Sequence, residues 1–122
     1  MPEEAVTVLV VEDEAVIRMY IVDSFEAAGL KVLKATNADE AIEILKSRDD
    51  IRLVFTDVNM PGAMDGIKLA AYVRDRWPPI KLIVTSGHSH VNLADLPEGA
   101  RFYSKPYEAP QIIQAITEMA EG

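Results

Sequence analysis

Leu53-Val54-Phe55-Thr56-Asp57 is the stretch on which the reading of this chain turns. An apolar run that ends on a single carboxylate describes a strand buried on both faces, with one charge delivered to its carboxyl end. The residues before it, Ile51-Arg52, lengthen the run, and the residues after it, Met60-Pro61-Gly62-Ala63-Met64-Asp65-Gly66, are rich in turn formers. Two other runs have the same character: Val6-Thr7-Val8-Leu9-Val10-Val11 and Ile80-Lys81-Leu82-Ile83-Val84. Leu30-Lys31-Val32-Leu33 and Arg101-Phe102-Tyr103 are shorter and more polar, as edge strands are.

Helical patterns fill the gaps. Ile17, Ile21, Phe25 and Ala28 recur at helical spacing from a start near Ala15, and Gly29 supplies a stop. Ala38, Ala41, Ile42 and Leu45 form a second stripe, with Asn37 placed to cap it and Glu40 three residues on, as in a capping box. Ile67, Ala70, Ala71, Arg74 and Trp77 mark a third helix, ended by Pro78-Pro79. Ile112, Ile113, Ile116 and Met119 mark the last. Residues 86–99 fit least well: Gly87, Pro97 and Gly99 interrupt them, so one or two helical turns after Ser89 are expected rather than a full helix. Alternation of strands and helices implies a parallel sheet with helices on both faces.

A length of 122 residues suits one domain spanning residues 1–122. With 49% hydrophobic and 26% charged residues the chain can build a packed core, which excludes a disordered protein. Twelve basic against 20 acidic residues leave a net charge of −8, which disfavours direct nucleic-acid binding and adsorption to anionic membranes. Cysteine is absent, so disulfides and thiolate metal sites are excluded. The start, Met1-Pro2-Glu3-Glu4, is acidic where a signal peptide is basic, and no apolar run approaches the roughly 20 residues of a membrane span. A soluble, cytoplasmic protein is expected.

Ligands of open α/β sheets bind beyond the carboxyl ends of the strands. Glu12-Asp13-Glu14 follow the first strand, Asp57 and Asn59 the third, Thr85-Ser86 the fourth and Lys105-Pro106 the fifth. If the first and third strands are neighbours, Glu12, Asp13 and Asp57 crowd together, and like charges so close require a counter-ion. Mg2+ answers that need with about six oxygen ligands, only one or two of them protein carboxylates. Such a centre can neutralise charge on a phosphoryl group in transfer. Asp57 then reads either as a loop aspartate that ends a strand or as a nucleophile forming an aspartyl phosphate. Asp13 reads as a cap for the first helix, as a metal ligand, or as both. Lys105 is suited to compensate phosphate oxygens as a point charge, and the Thr85 hydroxyl can donate one hydrogen bond. Asp65-Gly66 reads as turn or helix-start chemistry, and His88 and His90 as solvated loop histidines.

Taken together, Val10-Val11-Glu12-Asp13-Glu14, Asp57-Val58-Asn59-Met60-Pro61-Gly62 with Met64-Asp65-Gly66, Val84-Thr85-Ser86-Gly87 and Lys105-Pro106-Tyr107 resemble the receiver domain of bacterial two-component response regulators, the family of the chemotaxis response regulator. The resemblance spans residues 6–119. It implies a doubly wound (βα)5, flavodoxin-like three-layer sandwich with strand order 2-1-3-4-5, here with a short or irregular fourth helix. It implies Asp57 as phosphoacceptor, Asp13 and Asp57 as direct Mg2+ ligands with the Asn59 carbonyl as a third, and Glu12 acting through a metal-bound water. It also implies Thr85 as the switch hydroxyl, Lys105 as the phosphoryl-contacting lysine with a cis bond to Pro106, and Phe102 at the aromatic switch position. Three features depart from the commonest pattern. Glu12 stands where an aspartate is frequent, Ala63 looks like an extra loop residue, and Phe102 lacks the hydroxyl that some members carry.

The function this implies is a stand-alone switch that takes a phosphoryl group from a sensor histidine kinase or histidine phosphotransfer protein. With the sequence ending at Gly122, its output is expected through a downstream protein target, from a monomer or weak dimer. Promoting only its own modification, such a protein is not an enzyme with a separate substrate. Two other classes compete. An aspartate-nucleophile phosphatase usually carries a second acid where this chain has Asn59. A phosphorylation-independent adaptor on the same scaffold usually lacks an acid, the acceptor or the lysine, all of which are present here.

Overall fold

The computed structural model describes residues 6–59, 64–87 and 93–121. Its elements run β1 (Thr7–Val11), α1 (Ala15–Ala27), β2 (Lys31–Ala35), α2 (Ala38–Ser47), β3 (Ile51–Asp57), α3 (Gly66–Arg76), β4 (Lys81–Ser86), a 3-10 turn (Leu93–Asp95), β5 (Arg101–Ser104) and α4 (Ala109–Glu121). The five strands form one parallel sheet of order β2-β1-β3-β4-β5. This is the flavodoxin-like arrangement that the family resemblance implies.

Burial follows position in the sheet. Every residue of β1 is buried, while the edge strands β2 and β5 are partly open. Alternate side chains of the central strands enter two cores. Leu9, Val11, Val54, Leu82 and Val84 pack under α2 and α3 with Leu45, Leu69 and Val73. Val8, Val10, Leu53, Phe55 and Ile83 pack under α1 and α4 with Phe25, Ile112 and Ile116. Phe25 and Phe55 meet edge to face with ring centroids 5.5 Å apart. Each helix must cover one of these faces, and the right-handed crossover of parallel strands places α1 and α4 on the side opposite α2 and α3.

The helix ends obey local chemistry. Asn37 Oδ1 accepts from the Glu40 N–H at 2.8 Å, but the Glu40 carboxylate reaches one residue beyond the expected capping box, to the Thr36 N–H at 2.8 Å. Gly29, at φ +93°, closes α1 in a Schellman motif, with Leu30 N–H donating to the Phe25 carbonyl and Gly29 N–H to the Glu26 carbonyl. Asp65 caps α3 by accepting from the Lys68 N–H at 2.9 Å.

Two strands run further than the sequence suggests. β3 includes Asp57 and β4 includes Thr85 and Ser86, because Asp57 pairs in register with Thr85 and the ladder continues past the apolar run. Of the stretch before β5, the described part holds only the three-residue 3-10 turn. His88, His90 and Ala63 lie outside the described residues, as do residues 88–92 of the stretch in which one or two helical turns are expected. Among the described residues, no helix is long and apolar enough to cross a membrane.

Candidate functional site

Three ladder bonds run past the ends of the strands and bring the predicted residues to one rim. Glu12 N–H donates to the Ala35 carbonyl at 3.1 Å, Val58 N–H to the Thr85 carbonyl at 2.8 Å, and Lys105 N–H to the Ser86 carbonyl at 2.9 Å. Asp13, Asp57, Asn59, Gly87 and Lys105 line a cavity of about 390 Å3 there. The Lys105–Pro106 peptide is cis.

Carboxylate oxygens of Glu12, Asp13 and Asp57 lie within 4.8 Å of one another. Glu12 and Asp57 are buried and Asp13 is exposed. One cation answers them: Lys105 Nζ stands 2.9 Å from Asp57 Oδ2 and 3.4 Å from Glu12 Oε1. Burial pushes the Glu12 carboxyl above its usual range and the Asp57 charge adds to this, against the Glu14 N–H and Lys105. For Lys105, burial works against the ammonium, but the hydrogen bond and charge of Asp57, with Glu12 behind them, raise it overall. Three carboxylates and one ammonium leave a formal charge of −2. A hard, oxygen-only donor set with that surplus fits Mg2+.

Thr85 is wholly buried beside Asp57 in the register, and its Oγ1 has no hydrogen-bond partner among the described residues. A buried hydroxyl left this way costs about 1–3 kcal/mol, so the site holds a spare donor. Asn59 N–H approaches Asp57 Oδ1 at 3.4 Å, and its side-chain amide donates to Ser86 Oγ at 3.4 Å. Asp13 does not cap α1: Glu14 occupies the N-cap and no side chain caps that end. Phe102 stands apart from the cavity, packed on the core under α2 and α3 and in register with Val84.

Two residues that hold the site escape a reading of the sequence. Arg18 Nη1 donates to the main-chain carbonyls of Glu12 and Asp13. Gly66 is buried with its N–H donating to the Val58 carbonyl at 2.9 Å, and a Cβ there would collide with the Asp57 carbonyl. The Asp65-Gly66 pair carried a signal, read as turn or helix-start chemistry, which Asp65 fulfils by capping α3 but which says nothing of the close approach to Asp57.

The profile of the response regulator receiver domain family matches residues 8–117. This chain belongs to that family. The receiver is 32% identical over 115 residues to the response regulator receiver protein CpdR of Brucella abortus, covering 92% of this chain and 94% of CpdR. It is 37% identical over 119 residues to the sensor kinase CckA of the same organism, covering 94% of this chain but only 12% of CckA. Against the response regulator FleR of Pseudomonas aeruginosa, at 32% identity, it spans 25% of that protein's length. Among solved structures, a response regulator receiver protein from Sinorhizobium medicae superimposes with a TM-score of 0.91 at 29% identity, covering 98% of this receiver and 97% of that chain.

Proposed function

We propose that this receiver is a stand-alone phosphorylation switch, with Asp57 as the acceptor of a phosphoryl group from a phosphohistidine. The observation that carries this reading is the charge imbalance at the rim: Asp57 is buried against Lys105 beside two further carboxylates, and among the described residues no other cation is ion-paired with any of the three. Asp13 and Asp57 would hold Mg2+ directly, the Asn59 carbonyl would be a third ligand, and Glu12 would act through a water. When bound, the ion neutralises charge on the phosphoryl oxygens.

The other steps belong to the chain. The Asp57 carboxylate attacks phosphorus in line, an oxygen–phosphorus bond forms, and the nitrogen–phosphorus bond to the donor imidazole breaks. Lys105 moves from its two carboxylates to a phosphoryl oxygen. The spare Thr85 hydroxyl gains its acceptor on the same group, and Phe102 follows on β5, biasing the surface that a downstream protein target reads. Water later hydrolyses the acyl phosphate, so the chain turns over only itself.

The donor protein has an evident place to dock. Val16, Met19 and Tyr20, 80%, 63% and 51% exposed, are large apolar side chains on α1, whose Ile17 lines the phosphoryl cavity. CpdR, 94% of which aligns with this chain, is a relative in which a receiver makes up nearly the whole protein, the arrangement proposed here. A cytoplasmic setting, where kinases make phosphohistidine, completes the proposal.

The test uses a histidine phosphotransfer protein carrying radiolabelled phosphohistidine. Label should pass to this receiver and be released by hydroxylamine, the mark of an acyl phosphate. Label that never leaves a panel of such donors, or that resists hydroxylamine, counts against the reading.

A further inference from the structure

The turn that carries two of the three carboxylates lacks the usual anchors. β1 ends at Val11 and α1 starts at Ala15, with no side-chain cap at its N-terminus. Asp13 is exposed, so packing does not fix it. From within, the turn is closed by Glu12 Oε2 accepting the Glu14 N–H at 3.1 Å. From outside it is closed by Arg18, whose Nη1 donates to the Glu12 carbonyl at 2.8 Å and to the Asp13 carbonyl at 3.3 Å. Those two carbonyls belong to consecutive peptide planes, and holding both fixes the backbone from which the Asp13 side chain departs. Both bonds leave one nitrogen, Nη1, whose two N–H groups are held in the guanidinium plane, whereas an ammonium on a shorter stem rotates freely and does not hold two donors in fixed directions.

We propose that Arg18 is a positioning residue for the metal centre: its grip on the Glu12 and Asp13 carbonyls holds the Asp13 carboxylate toward Asp57. The proposal rests on the site reading above only in taking Mg2+ as the cation. It is separable from electrostatics because the two effects have opposite signs. Arg18 is a positive charge near a cation site, so its charge alone weakens Mg2+ binding, whereas its grip strengthens it.

Arg18→Lys keeps the charge and loses the planar fork; Arg18→Gln loses the charge as well. The measurement is Mg2+ affinity by titration calorimetry on the full chain, without phosphodonor, beside thermal melts in EDTA. Positioning predicts that Arg18→Lys weakens Mg2+ by about tenfold, the lower end of what losing an outer partner costs a metal site. It also predicts that the loss shrinks sharply in the Asp13→Asn background, because Arg18 acts through Asp13. Wild-type affinity in Arg18→Lys with tighter binding in Arg18→Gln would assign Arg18 to electrostatics alone. A lowered melting temperature with unchanged affinity would make it merely structural, and losses that add fully with Asp13→Asn would also overturn the proposal. A wild-type chain that binds no Mg2+ would remove the parent reading and this one with it.

Discussion

Two ion pairs at opposite ends of the sheet look alike in distance and differ in everything else. At the amino end of β3, Arg48 meets Asp50 at 2.6 Å, both side chains about two-fifths exposed. At the carboxyl end, Lys105 meets Asp57 at 2.9 Å, with side chains 20% and 5% exposed. The first pair is balanced, and Arg48 holds the Asp50 carboxyl down to about 2. The second is one cation shared between Asp57 and Glu12 with Asp13 close by, and burial drives the Glu12 carboxyl the other way. Exposed pairs are screened and add little to stability, whereas a buried excess of one sign is costly until a ligand arrives. The balanced end is therefore an ordinary screened surface pair, and the unbalanced end is the one left with a charge to answer.

The sharpest way to break the contrast is to remove the cation at each end. Lys105→Met should cost about 3 kcal/mol at pH 7, the lower end for a broken buried pair because Lys105 is partly exposed, since it leaves two buried carboxylates uncompensated. Part of that loss should return with Mg2+ or as the pH falls and Glu12, whose carboxyl burial already raises, takes up a proton; Arg48→Met should change little. Equal losses in thermal melts of the two variants would contradict the comparison. Next in size, Gly66→Ala should destabilise the chain by up to about 2 kcal/mol, because the new methyl group meets main-chain atoms of Asp57 and Val58 and the strand end must shift. The same variant should slow phosphorylation, and a normal rate would show that Asp57 tolerates the displacement.

Glu12→Gln should work in the opposite direction. Because the folded state raises the Glu12 carboxyl above its ordinary 4.5, the folded chain holds that proton more readily than the unfolded one. The ionised group thus costs stability above its folded value, and the cost is relieved as the pH falls toward 4.5. Glu12→Gln should raise the melting temperature in EDTA at pH 7 while weakening Mg2+ binding. A lower melting temperature would show that the carboxylate is not a burden. The smallest effect belongs to Asp50→Asn. Its pair's contribution is fully present above pH 3.8 and fades only as the pH falls through about 2. Near neutrality a shift in melting temperature should be hard to resolve in high salt, and a large, salt-independent one would mean that the exposed pair matters more than its setting implies.

Most of the frame was legible because burial writes itself into composition. The apolar runs of β1, β3 and β4 and the caps at Asn37 and Gly29 needed no structure to find. Placing Glu12, Asp57, Thr85 and Lys105 on one rim needed the strand order, which the family resemblance supplied and the sheet shows. The rest depended on main-chain geometry that residue identity does not encode. Glu40 bonds Thr36 rather than the cap residue itself, Arg18 grips two carbonyls, and Gly66 is small because the Asp57 carbonyl passes over it. The ends of β3 and β4 were read about one residue short because Asp57 and Ser86 are polar, yet their ladder bonds persist.

The central claim is that the unbalanced rim accepts a phosphoryl group on Asp57 with Mg2+ present. Intact mass after incubation with acetyl phosphate, with Mg2+ or with EDTA, for the wild type and Asp57→Asn, tests it most directly. The account predicts a gain of one phosphoryl group in the wild type with Mg2+, and none in EDTA or in the variant. An equal gain in Asp57→Asn, or a gain indifferent to Mg2+, would contradict it.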